Sequence, residues 1–185
     1  MDINIPYSTY ICLPEKEQRD YLFLMDFCKF NGNKLTEADY LYDNTLADRP
    51  WEKVKTLMSL YAGRKIDDIM EQIIEDIGLD RIMKTEAWRV IMTLRHTLHS
   101  IENLINIENN TLVSSQPSEY TGLMEQVDFS MFNQEYVQLN DLAGGDITKF
   151  DTIRKMPYKD CFVQLLYIFK NNEFQKLVSK SIMKS

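Results

Sequence analysis

Over most of the chain the apolar residues recur every three or four positions, the period of an amphipathic helix. The first thirteen residues differ. There Ile3, Ile5, Tyr7, Thr9, Ile11 and Leu13 fall on alternate positions, which predicts a strand. After Pro14, the stretch EKEQRDYLFLMDFCKFNG carries its acidic residues early and Gly32 at its end, the signature of a capped helix. Thr36 and Asp39 predict the start of a short helix reaching about Asn44. Pro50 opens and Gly63 closes a further one, PWEKVKTLMSLYAG. In IDDIMEQIIEDIG, Ile66, Ile69, Met70, Ile73, Ile74 and Ile77 share one face, and Asp67, Asp68, Glu71, Glu75 and Asp76 the other. The longest predicted helix runs from Thr85 to about Glu108. Its seam is Ala87, Ile91, Leu94, Leu98, Ile101 and Ile105, either a central core line or an oligomer contact.

From Asn109 to Gly145 this periodicity dissolves. Short β-leaning pieces at residues 112–113, 127–129 and 136–139 make a small sheet or a binding excursion the expectation. The N-terminal strand would pair there or with a neighbouring chain. Gly144 and Gly145 predict a turn, and Asp146 or Thr148 the cap of a short helix. Pro157 opens the last long helix. It is apolar nearly all round from Cys161 to Phe169, so burial on several sides is expected, with a kink at Asn171 and Asn172 before the amphipathic end FQKLVSKSIMKS. The fold class expected is mainly α: a single helical-bundle domain of six or seven helices with a minor β element. Its parts would be an N-terminal strand or arm (1–14), a helical body (15–109), an irregular or β excursion (110–145) and C-terminal helices with a basic tail (146–185). No repeat or linker separates two domains.

Composition narrows the class. At 185 residues and 44% apolar the chain can bury a real core. Its longest apolar run, CFVQLLYIF, falls far short of the ~20 residues of a membrane span. The start carries Asp2 and Pro6 without a basic stretch, unlike a signal peptide, so the expectation is a soluble, intracellular protein. Cys12, Cys28 and Cys161 are scattered and form no CxxC, which argues for reduced thiols over a disulfide framework or a zinc site. Ile, Lys, Asn and Tyr far outnumber Ala, Gly, Pro and Arg, the mark of an AT-rich source genome. The net charge of −7 is unevenly spread. Residues 147–185 carry 8 basic and 3 acidic side chains, a net of +5, and the rest a net of −12. An acidic body is a poor nucleic-acid surface, and together with a basic tail it suits head-to-tail contact between copies, unless the tail folds back on its own body.

Candidate chemistry is sparse. His96 and His99 stand three apart, a legal spacing for a metal, but their rings diverge and no third ligand is in reach, so no metal is expected. The acidic helix face reads as solvated. No GxSxG occurs, and GGD at 144–146 is no phosphate loop, so neither a nucleophilic centre, a cofactor nor a small-molecule substrate is expected. Arg89 and His96 form an R-x6-H pattern similar to that of HEPN ribonucleases. In that family an arginine and a histidine from antiparallel helices act on an RNA phosphodiester, often across a dimer. This is the enzymatic alternative.

The apolar start INIPYSTYICLP and the late GGDITKFDTIRKMPYKDCFVQLL together resemble small helical proteins of tailed bacteriophages: head-tail connector, tail or baseplate components and assembly factors. The resemblance spans about a quarter of the chain. It implies a non-enzymatic structural or assembly role in a multi-subunit ring or tail assembly, or that of a transient tail-assembly chaperone. The setting implied is the virion, built in the bacterial cytoplasm, with copies of the chain and other phage proteins as partners and no membrane. The partner-contact candidates are Ile3, Ile5, Tyr7 and Ile11 in the arm, Met124, Phe129, Met131 and Phe132 in the irregular region, and Lys176, Lys180 and Lys184 in the tail.

Overall fold

The structure is a computed structural model and describes residues 2–30, 41, 45–112 and 134–183. The protein is mainly α-helical. Its described helices are α1 (Tyr7–Tyr10), α2 (Glu15–Phe30), α3 (Trp51–Ala62), α4 (Ile66–Ile77), α5 (Leu79–Lys84), α6 (Ala87–Thr111), α7 (Gln134–Ala143), α8 (Phe150–Arg154) and α9 (Tyr158–Met183). Short 3-10 turns stand at Leu46–Asp48 and Ile147–Lys149. Two compact units emerge, one of residues 1–45 and 59–102, the other of residues 46–58 and 103–185, with the border inside α3 and α6.

In the first unit the N-terminal segment is not a strand. Tyr7 donates its amide to the Thr85 carbonyl (2.8 Å) and Ala87 donates to Ile5 (2.9 Å), an isolated bridge of Pro6 with Glu86. These bonds satisfy early amides of α1 and α6, which have no partner inside their own helices. Pro6 lacks an amide and has φ −59°, and at Tyr7 the chain turns helical. The alternating residues serve as anchors instead of a sheet face. Ile3, Ile5, Tyr7 and Tyr10 pack on the buried Tyr21, Met25, Ala87 and Trp88, and Tyr21 donates its hydroxyl to the Ile3 carbonyl at 2.6 Å. The opening segment therefore pairs with a helix start of its own unit.

Helix α4 buries Ile69 and Ile73, one turn apart, and packs on α5, which buries Ile82. Gly78 separates the two at φ +91°, a conformation costly for any residue with a Cβ. Along α6 the buried line is Val90, Thr93, Thr97, Ile101 and Glu108. It lies to one side of the expected seam, whose Ile91, Leu94, Leu98 and Ile105 are half-buried. Threonine tolerates this position because its hydroxyl bonds to the helix itself. Thr97 donates to Thr93 O (2.9 Å), and Thr93 donates to Arg89 O while accepting from the Leu41 amide (3.0 Å).

The second unit repeats the bridging device. Trp51 donates to Met156 O and Tyr158 to Arg49 O, both at 2.8 Å, so Pro50 and Pro157 sit side by side where α3 and α9 begin. Residues 136–139, read as β-leaning, lie in α7, where Leu139 and Ala143 are buried one turn apart and pack the helix on α8 and α9. No sheet exists among the described residues; the piece at 127–129 and the helix expected from Thr36 to Asn44 lie outside them. Gly144 and Gly145, at φ +62° and +84°, make the turn, and the Asp146 carboxylate accepts the Thr148 amide, capping the next turn as expected.

Helix α9 departs most from expectation. It runs unbroken through Asn171 and Asn172. Only Tyr158, Cys161 and Leu165 are buried along it, while Val163 is 64% and Tyr167 65% exposed. An apolar sequence on every side did not bring neighbours to every side.

If the N-terminal bridge is intrinsic to the unit, the amides of Tyr7 and Ala87 are protected from hydrogen exchange in dilute, monomeric protein. Exchange at the unstructured rate at both would contradict this anchoring.

Candidate functional site

The one strongly buried ionic group among the described residues joins α3, α6 and α9. Lys55 Nζ reaches both oxygens of Glu108 at 2.6 and 2.7 Å, and the Tyr158 hydroxyl donates to Glu108 Oε1 at 2.6 Å. The side chains of Lys55 and Glu108 are 11% and 6% exposed. Trp51 and Tyr158 stack at 5.4 Å, Phe162 continues the stack at 6.0 Å, and the ammonium of Lys55 lies 4.7 Å from the Trp51 ring. The carboxylate thus accepts three hydrogen bonds from two donors.

The electrostatics follow from this dry setting. Burial holds Lys55 below the usual lysine range and outweighs the opposing pull of Glu108 and Glu135. Burial, then the charge of Glu108, pushes the Tyr158 phenol up. A lowered lysine is a familiar catalytic asset, and here two hydrogen bonds from Lys55 and the one from the Tyr158 hydroxyl all go to Glu108. Two buried polar atoms of the same unit, Trp51 Nε1 and Gln138 Oε1, have no hydrogen-bond partner among the described residues.

Sequence reasoning missed this group. Glu108 entered only as the approximate end of the long helix, although it stands seven residues after Ile101 on the buried line of α6, and Lys55 stands one turn after the buried Trp51. Both spacings were available as signals.

The residues singled out from sequence are scattered. His96 and His99 are exposed on α6, and His99 Nδ1 lies 3.9 Å from Glu102. Partial burial, then the charge of His99, lowers the His96 pKa from its ordinary value. Arg89 is half-buried, and two turns of helix, about 10 Å, separate it from His96. Among the described residues no group of three or more His, Cys, Asp or Glu is arranged to hold a metal, and no helix is long and apolar enough to cross a membrane. Cys161 is buried and Cys12 exposed.

Of the contact candidates, Ile3, Ile5 and Tyr7 are spent on the core of their own unit, and Ile11 is 43% exposed. Met124, Phe129, Met131, Phe132 and Lys184 lie outside the described residues. Lys176 is exposed and Lys180 half-exposed on α9. On the same helix, Val163 and Tyr167 lie in the stretch expected to be buried on several sides, yet both face solvent. Val163, Tyr167, Phe174 and Leu177 fall within about 80° of one another around the helix and extend for about 21 Å. Phe174 is 59% and Leu177 61% exposed. Four large apolar side chains in one solvent-facing row are the surface feature that calls for a function.

Comparison with known proteins adds little to this geometry. No family model and no solved structure matches the chain. Over 92 residues it is 28% identical to a protein of Treponema denticola named Ribonuclease HII, an alignment covering 47% of this chain and 44% of that one. The chain thus spans less than half the length of the curated relative it matches.

Two outcomes are expected for the buried cluster. Lys55→Met or Glu108→Leu alone strands one buried charged group and costs about 3–5 kcal/mol, whereas the double variant is far milder, as a denaturant-unfolding cycle would measure. A phenol with a raised native pKa ionises more readily unfolded, so the Tyr158 contribution is complete below pH ~10 and lost above it. Unfolding of wild type and Tyr158→Phe compared between pH 9 and 11 reads this as a steeper alkaline loss in wild type.

Proposed function

We propose that this chain acts through protein–protein contacts, as a structural or assembly component of the tailed-phage kind, and that α9 is its principal contact element. The observation that carries the reading is the solvent-facing row Val163, Tyr167, Phe174 and Leu177. Leaving such side chains in water is unfavourable by roughly 1.5–3 kcal/mol each relative to full burial, so covering the row supplies a driving force for association. Further support comes from the unequal charge of body and tail and from the buried ionic cluster, in which Lys55 and Tyr158 are both bonded to Glu108. The resemblance of the chain's opening and late segments points the same way.

A ribonuclease is the second reading. It rests on the likeness to the protein named Ribonuclease HII and on the Arg89 and His96 pair, with His96 held neutral at pH 7 as a base must be. The two turns of helix between that pair favour contact over catalysis.

A photo-activatable phenylalanine at position 167, expressed in bacterial cells, tests the first reading. Cross-links to protein are expected, and cross-links confined to RNA, or none, would contradict it. In parallel, purified protein should leave RNA and RNA–DNA hybrid uncut; cutting that His96→Ala abolishes would establish the second reading.

A further inference from the structure

Resting on the contact role just proposed, we infer that the occupant of the α9 row is α9 of a second copy of this chain, lying antiparallel to the first. Two more residues belong to the row. Lys170 and Ser181 are exposed within the same ~80° of the helix surface, so Val163, Tyr167, Lys170, Phe174, Leu177 and Ser181 follow one another at alternating spacings of four and three. Such alternation is the seam of a two-helix coiled coil. The row also runs along a stretch in need of a partner. Residues 170–182 include no buried side chain, and a helix of that length is marginal in water unless one face is packed.

The order of residues along the row selects the partner. Spacings of four, three, four, three and four read the same in both directions, so a second α9 running the opposite way meets the first layer by layer about a two-fold axis near Asn172. Tyr167 then packs on the partner's Leu177 and Lys170 on the partner's Phe174, with Val163 against the partner's Ser181 at either end. Each contact occurs twice. The row is its own complement, and a contact of this isologous kind closes at two copies.

Lys170 fixes the direction. It is the one charged residue of the six, and its ammonium is held by Glu173 at 3.0 Å on the same helix. That pairing lets the row be covered without an isolated charge in the interface. In the antiparallel arrangement each ammonium also meets the ring of the partner's Phe174, a favourable cation–π neighbour. A parallel, in-register pair would instead set the two Lys170 side chains against each other at the centre of the row, which is repulsive. The apolar layers therefore supply the affinity and Lys170 the orientation, as a single polar residue in a coiled-coil seam does.

The test uses the full chain. Sedimentation velocity should show wild type passing from a 21.9 kDa monomer to a dimer with rising concentration, and to nothing larger. Leu177→Glu, at an exposed position, should leave the Trp51 and Tyr158 stack folded by near-ultraviolet circular dichroism. It should weaken the dimer about 100-fold or more, because each dimer loses two leucine contacts. Direction is read by cysteines at the two ends of the row, in a Cys12→Ser background because Cys12 is exposed. Under a mild thiol oxidant, an equimolar mixture of Val163→Cys and Ser181→Cys chains should form a disulfide-linked dimer, and neither variant should do so alone. Three results would overturn the inference: wild type monomeric throughout, a dimer that Leu177→Glu leaves unchanged, or either cysteine variant cross-linking alone as fast as the mixture. Monomeric wild type together with cross-links from position 167 to a different protein would end self-association and leave the contact role standing. A monomer with Tyr167 already shielded from solvent would mean that the chain covers the row itself, and both readings would fail.

Discussion

A carboxylate placed beyond the reach of water must be neutralised where it sits, and Glu108 is such a carboxylate. Lys55 from α3 and Tyr158 from α9 are the groups that neutralise it, so three helices of one unit are held at a common point by bonds of 2.6–2.7 Å. The cost of failing to pair this charge exceeds what any one apolar contact around it contributes. Trp51 and Phe162 seal the cluster, one stacked on each side of Tyr158, while the paired backbones at Pro50 and Pro157 fix where α3 and α9 begin. The start of α9 is thereby determined, and with it which of its faces turns inward.

That determination has a consequence further along the same helix. Tyr158, Cys161 and Leu165 spend the inward face on the unit's core. Val163, Tyr167, Phe174 and Leu177 are left outside that core and face solvent. A sequence that looks uniformly hydrophobic is thus divided between two tasks, one completed within the chain and one left open. The proposed contact role follows from this division.

Helix positions were largely legible in the sequence, because Pro50, Gly78, the Gly144–Gly145 pair and Pro157 act through local backbone geometry that needs no partner. The burial pattern was less so. Alternation in residues 3–13 marks residues that must be buried, but it does not say whether a strand or a turn followed by a short helix buries them. Thr93, Thr97 and Glu108 stand off the expected apolar seam and are nonetheless buried, because hydroxyls bonded to their own helix and a carboxylate with two donors can be buried at little cost. The error on α9 is of the opposite kind. Apolar character states a preference for burial and cannot state whether a neighbour is present to satisfy it. Val163 and Tyr167 of the candidate contact row were therefore hidden in the stretch that looked most like core.

Hydroxyl-radical footprinting of the purified chain across a range of concentrations tests this division of α9 most directly. The account predicts that Tyr167 and Phe174 are heavily modified in dilute protein and become protected on concentration, while Trp51 and Tyr158 stay protected throughout. Protection of Tyr167 and Phe174 already in the dilute monomer, or their full modification at every concentration, would contradict the account.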